Sequence, residues 1–540
     1  MLKKVLRFLR SVFWSVWTPL YLVGLILFLI ALAVSYIAFA ETFAVIGKKG
    51  VEVAGLNGNI IKLSPCKPFH ASRVVQCGVY EVFEDRQAKS GRKIPIHFVV
   101  DFATSDTPKE EPIFYIDGGP GVGKAVIAGF SIDDEHHDRD NVYIDVRGSG
   151  ESNTLSCVGL KASPFKLGTY LKSDFSEYKK LFSVQHYLGG QYDQQDMLAC
   201  RKTLEQHADL TKYTTTLAAA DLNEIRVALG YEKINVTGAS YGTRLSLEYI
   251  RRYPETVRAA SLVDIVPTTL RMPSTFAAGT QRSLNLLLSH CDQDALCKSA
   301  YPNVRHDLNK VLSRLNSSSV SFRMKNPLLF EMASEDVQMA YGPFVMGIRG
   351  MLYGYESSAM LPYVITEAAE GNFVPMAGQI VEQTLPLELV LAKGMYLSVT
   401  CAEDVPFIDE EIARQNAEGT ILGVYRLEQH LGACSVWSKG EVPDDWLDPI
   451  IADIPILLFS GELDPSTPPT TGEEVLSGFR NGKLIIMKNE SHGADYNWER
   501  CGKAIEEKFW EQASVEGLDT SCADEIDRPP YYIPETDDKP

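Results

Sequence analysis

The chain has 540 residues, of which 45% are hydrophobic and 23% charged, with a net charge of −18. That length supports a large core and more than one domain. The acidic balance disfavours nucleic acid as a partner, because phosphate binding needs a basic footprint.

The N-terminal segment stands apart. Lys3, Lys4, Arg7 and Arg10 precede an apolar run, and Leu20–Ala40 carries no charge over 21 residues. About 20 apolar residues span a bilayer. Residues 1–45 therefore read as a transmembrane helix, with the basic flank cytoplasmic and the rest outside the cytoplasm, periplasmic or extracellular. "AFA" before Glu41 also has the shape of a signal cleavage site, so a secreted form is the rival reading. All ten cysteines follow this segment. In an oxidising compartment they form up to five disulfides, and Cys291 and Cys297 are close enough to close a local loop.

"KIPIHFVVDFA" alternates in part and predicts a strand. "PIFYID" and "NVYIDVR" read as buried parallel strands. Between them lies "YIDGGPGVGKAV", Tyr115–Val126, which matches all but the last position of a phosphate-binding loop. That position needs a hydroxyl to hold Mg²⁺, and residue 125 is Ala. Pro120 also removes a backbone donor. The glycines therefore read as donors to another kind of anion, and Lys124 as a helix or surface residue.

"DLNEIRVALGY" predicts a helix stopped at Gly230, "KINVTG" a strand, "RLSLEYIRRYP" a helix and "AASLVDIV" a strand. This alternation implies an α/β fold with a mainly parallel sheet over residues 46–267. Residues 268–445 carry helical patterns, including "DVQMAYGPFVMGIRGMLYGY", and read as an inserted helical domain. Strands return in "IPILLFSGELDPSTPP" and "GKLIIMKNESHGADY", within 446–540.

Gly238-Ala239-Ser240-Tyr241-Gly242 is G-x-S-x-G between a strand and a helix, the context of a nucleophile elbow. A serine needs a base and an orienting acid, here in the chain order Ser, Asp, His. Asp464 and His492 each follow a late strand; Glu462 is the neighbour that competes with Asp464. The oxyanion donors expected are the N–H groups of Tyr241 and of Gly118 or Gly119. "DDEHHDRD" (133–140) reads as a polar connection, with no metal and no cofactor expected.

In combination, "DGGPG", "DVRGSGES", "GASYGTRLSLEYIRRYPETVRAASLVD", "GELDPSTPP" and "SHG" resemble the α/β-hydrolase peptidases of the prolyl and tripeptidyl aminopeptidase kind, the latter more closely. "CAEDVP" is similar to a cysteine-containing stretch of the tripeptidyl branch. The resemblance covers about residues 60 to 525. It implies an α/β-hydrolase fold with a helical cap over 268–445 and the triad Ser240, Asp464 and His492. Asp117 departs from the pattern, since the prolyl branch usually has His there. The activity implied is release of short peptides from free N-termini. Glu403 and Asp404 are the candidates for the substrate ammonium, the rival reading being solvated surface acids. A carboxylesterase on small acyl esters and a catalytically silent binding protein are the alternatives in the same fold.

Overall fold

The computed structural model describes residues 45, 48–132, 137–157, 181–189, 192–328, 333–493 and 497–534. The expected membrane segment and part of "DDEHHDRD" lie outside them. Among the described residues, no single helix is long and apolar enough to cross a membrane.

The alternation in Lys93–Asp101 forms a strand with Ile94, Ile96 and Phe98 turned inward. It is β4 of a ten-stranded sheet. Three strands precede it: β1 (Val51–Ala54), β2 (Ile60–Cys66) and β3 (Val75–Phe83). These run antiparallel and were not legible from pattern. The apolar runs follow as β5 (Ile113–Ile116), β6 (Asn141–Ile144), β7 (Ile234–Ala239) and β8 (Val257–Val263). They sit in the order β4-β6-β5-β7-β8, and from β6 onward all neighbours are parallel.

Helix α1 (Thr215–Ala228) contains most of the segment expected to be helical, and Gly230 ends it at φ 82°. Helix α2 (Tyr241–Arg252) joins β7 to β8 and is buried from Tyr241 to Ile250. Its polar side chains are buried along with its apolar ones. Thr243, Arg244 and Glu248 are admitted because each has a polar partner.

After β8 come α3 (Phe276–Gln293), β9 (Val320–Lys325), β10 (Ser334–Met339), α4 (Tyr341–Met351), α5 (Val374–Val390) and α6 (Lys393–Glu403). The start of "DVQMAYGPFVMGIRGMLYGY" is strand, not helix. Ser334–Met339 alternates exposed and buried residues, and Val337 pairs with Phe322 of β9. Six residues of period two precede the helical period without a break in polarity, so pattern alone merged them.

Leu284, Leu287, Phe344, Ile348, Met376 and Ile380 form a second core apart from the sheet's. Val184, Tyr187 and Leu188, from before the expected insertion, join it. Met395, Leu397, Val399 and Cys401 of α6 join the core against the sheet instead.

Strands β11 (Ile456–Gly461) and β12 (Gly482–Met487) then complete the sheet beside β8. Ala239, Val263, Phe459 and Ile485 lie in one register row across β7, β8, β11 and β12. The loops leaving that row carry the candidate site, as expected for an open parallel sheet.

All ten cysteines pair, as Cys66–Cys77, Cys157–Cys200, Cys291–Cys297, Cys401–Cys434 and Cys501–Cys522. Five disulfides fit an oxidising compartment.

Candidate active site

Ser240 joins β7 to α2 at φ 52° and ψ −121°. A non-glycine residue at such a φ is strained and persists only where its neighbours fix it. Two close approaches do so. A Cβ on Gly238 would lie 2.6 Å from the carbonyl carbon of Gly242, and one on Gly242 would lie 2.4 Å from the Ile116 carbonyl oxygen. Neither position admits a side chain, which accounts for the glycines of G-x-S-x-G. The Ser240 N–H donates to the Val263 carbonyl at 2.9 Å. Tyr241 opens α2, so its N–H is among those a helix cannot satisfy internally.

Asp464 is fully buried on the loop after β11. Its Oδ1 accepts the N–H groups of Ser466 (2.6 Å) and Thr467 (2.9 Å). Its Oδ2 accepts the Thr467 hydroxyl at 2.6 Å and faces His492 Nδ1 at 2.7 Å. Glu462 points elsewhere and accepts the Asn489 N–H. Burial opposes charge on Asp464, but the His492 charge and these donors outweigh it and hold the carboxyl below its ordinary range. Burial alone would depress His492. The carboxylates of Asp464 and Asp264 outweigh it and raise the imidazole above its ordinary value.

The structure thus joins Asp464 to His492 directly. Ser240 is tied to the same place through Val263, the residue before Asp264. Asp264 was not singled out from sequence; its only signal is its position at the end of the strand next to the elbow. Thr467 was missed for the same reason, since a threonine after "DPS" carries no periodic signal.

The glycine loop packs against the serine. A Cβ on Gly118 would lie 3.1 Å from Ser240 Cβ. The Gly118 N–H, however, donates to Asp117 Oδ1 at 2.7 Å. Lys124 is not a surface residue: its Nζ lies 3.4 Å from Asp117 Oδ2, and the pair is mostly buried. Gly123 is glycine because a Cβ there would lie 2.5 Å from Asp145 Oδ1. Asp145 accepts the N–H groups of Val126 and Glu151, and burial pushes its carboxyl up to about 7. The likeness to a phosphate loop therefore arises from a buried carboxylate that binds "DVRGSGES" to the glycine loop.

Glu403 and Asp404 are both fully buried, so neither is a solvated surface acid. Each has a protein partner in this structure. Glu403 accepts the Thr215 N–H and hydroxyl, each at 2.6 Å, and Thr215 meets the Tyr241 hydroxyl at 3.0 Å. Asp404 pairs with Arg244 at 3.0 Å. Both acids brace α2 from behind. Adjacent acids in a loop-like segment gave no sign of this, because their partners lie about 160 to 190 residues away.

Elements of the second core reach His492. The His492 N–H donates to the Tyr353 carbonyl at 3.2 Å, and the Tyr353 ring meets the imidazole edge-on at 4.8 Å. The Ser491 hydroxyl donates to the Leu352 carbonyl. Arg349 of α4 donates to the Pro465 carbonyl at 3.1 Å and to the Ser466 hydroxyl.

A parallel sheet with a strained serine on an elbow, and an acid and histidine on later loops, defines an α/β-hydrolase. Residues 111–332 match the family model described as alpha/beta hydrolase fold, and residues 420–522 the model described as TAP-like protein. Serine protease Hip1 of Mycobacterium tuberculosis is 23% identical over 311 residues, 53% of this chain and 57% of that protein. Tripeptidyl aminopeptidase of Streptomyces lividans is 28% identical over 211 residues, 36% of this chain and 35% of that protein. Proline iminopeptidase of Xylella fastidiosa is 45% identical over 49 residues, 9% of this chain and 16% of that protein. Over these stretches the chain is similar to α/β-hydrolase peptidases. It spans little more than half the length of the first of these relatives. Among solved structures, the proline iminopeptidase of Mycobacterium smegmatis aligns over 81% of this chain and 98% of its own, with 14% identity and a TM-score of 0.38.

Proposed function

We propose that this chain is a serine peptidase that removes short peptides from free N-termini, held by residues 1–45 to a membrane with the catalytic part outside the cytoplasm. The observation that carries the reading is the strained Ser240, tied through Val263 to the loops where Asp464 holds His492. His492 takes the Ser240 proton as Oγ attacks the peptide carbonyl. Asp464 fixes the Nδ1–H tautomer and stabilises the imidazolium. The Tyr241 N–H receives the oxyanion together with Gly119, since the Gly118 N–H is engaged by Asp117. His492 then protonates the leaving amine, and water releases the acyl group. The part of residues 268–445 that builds the second core forms the cap over this site, while α6 packs with the sheet. The relatives' names support peptide as the substrate and a free N-terminus as its mark.

The test is a set of peptide p-nitroanilides with free and acetylated N-termini, beside simple acyl esters. The free-amine peptides are expected to turn over fastest, and Ser240→Ala to abolish turnover. Faster turnover of blocked peptides or esters overturns the aminopeptidase reading. Anchoring is checked by fractionation: the full chain should sediment with membranes and a chain lacking residues 1–45 should not.

Lys124 supplies a further check. It is the cation that offsets Asp117 beside the oxyanion loop. Lys124→Met leaves that carboxylate uncompensated where negative charge develops, so fluorophosphonate labelling of Ser240 is expected to slow by roughly threefold to tenfold.

A further inference from the structure

We infer that Asp264 is a second carboxylate serving His492, a positioning residue that holds the base's backbone and shares the Nδ1 side of its ring with Asp464. The inference rests on the reading of Ser240, Asp464 and His492 as a triad. Three observations lead to it. Asp264 Oδ2 accepts the Gly493 N–H, the peptide that immediately follows the base. The same oxygen lies 3.8 Å from His492 Nδ1, against 2.7 Å for Asp464 Oδ2. Asp264 is buried and sits at φ 57°, so the chain adopts a left-handed conformation at the strand end to place it.

Two carboxylates on one side of an imidazole do different work. The nearer accepts the Nδ1–H bond and sets the tautomer. The farther makes no such bond, and it adds negative charge where the imidazolium forms. That favours the protonated ring, so neutral base becomes available only at higher pH. The other groups around the ring are the Thr467 hydroxyl, 3.3 Å from Nδ1, and the Tyr353 phenol. Arg349 lies behind Tyr353, and Arg282 donates to the Glu462 carbonyl on the acid loop. No cation among these touches the imidazole, and the two acids oppose the effect of its burial.

The measurement is the rate of fluorophosphonate labelling of Ser240 against pH, in the parent and in Asp264→Asn. Asparagine tolerates a positive φ, and its carbonyl still accepts the Gly493 N–H. The acid-side midpoint is expected to fall by about one pH unit, with the high-pH plateau within about threefold of the parent. Asp264→Gly takes the positive φ freely and is the second variant. In both, proton NMR of the His492 imidazole in a Ser240→Ala background should show the same downward movement. An unchanged midpoint and an unchanged imidazole titration in folded variants overturn the role of Asp264 while leaving the triad intact. A parent Ser240 that takes no label at any pH overturns the triad and this inference with it.

Discussion

Asp464→Asn is expected to lower kcat/KM on a free-amine peptide p-nitroanilide about 10⁴-fold while leaving the fold intact. The hydrogen bonds around Asp464 dictate why. Its Oδ1 is fixed by the Ser466 and Thr467 N–H groups, which only an oxygen can accept. An asparagine must therefore keep its oxygen there and turn its NH₂ toward His492. His492 Nδ1 then becomes an acceptor, and the ring proton moves to Nε2, the atom that must receive the serine proton. The base is lost without any loss of packing. A loss under about tenfold, with labelling of Ser240 unimpaired, would show that Asp464 does not orient the base.

Asp221→Ala is expected to cost about 3–5 kcal/mol of stability, read as a large drop in the denaturation midpoint. Asp221 is buried in α1 and accepts Arg147 Nε at 2.6 Å and Nη2 at 2.7 Å. Arg86 adds Nε at 3.0 Å and Nη2 at 2.6 Å. Arg147 has no solvent exposure, so alanine leaves its guanidinium buried without a carboxylate. Arg147 is the arginine of "DVRGSGES", and its Nη1 also donates to the carbonyls of Glu84 and Lys212. The charge, and not the cavity, is the main cost. Asp221→Leu combined with Arg147→Met should therefore recover a substantial part of the loss. Failure to recover would assign the loss to the hydrogen bonds that Arg147 makes to the backbone.

What was legible in the sequence was what depends on near neighbours. The elbow is five residues whose glycines answer to contacts at one turn. Asp464 and His492 follow strands that declare themselves as apolar runs, so chain order was enough to pick out two residues that the fold brings together. The partners of Glu403 and Asp404, Thr215 and Arg244, were not legible because they come from other helices. Asp264 went unread because a carboxylate at a strand end looks like any turn residue until the neighbouring strands are in register. β1 to β3 were missed because an outer meander with exposed Val51, Ile60 and Val79 shows little apolar continuity. Lys124 reads as a helix or surface residue because nothing local announces its contact with Asp117.

The turn after α4 has a practical meaning for re-engineering. Leu352 and Tyr353 hold Ser491 and His492 by their carbonyls, and Arg349 holds Pro465 and Ser466. The region that would select the substrate is thus bolted to both the acid loop and the base loop. A chimera that imports residues 268–445 from a relative, to borrow its specificity, would replace the bracket on which its host's histidine hangs. Such grafts should work only when residues 462–467 and 489–493 travel with the imported segment.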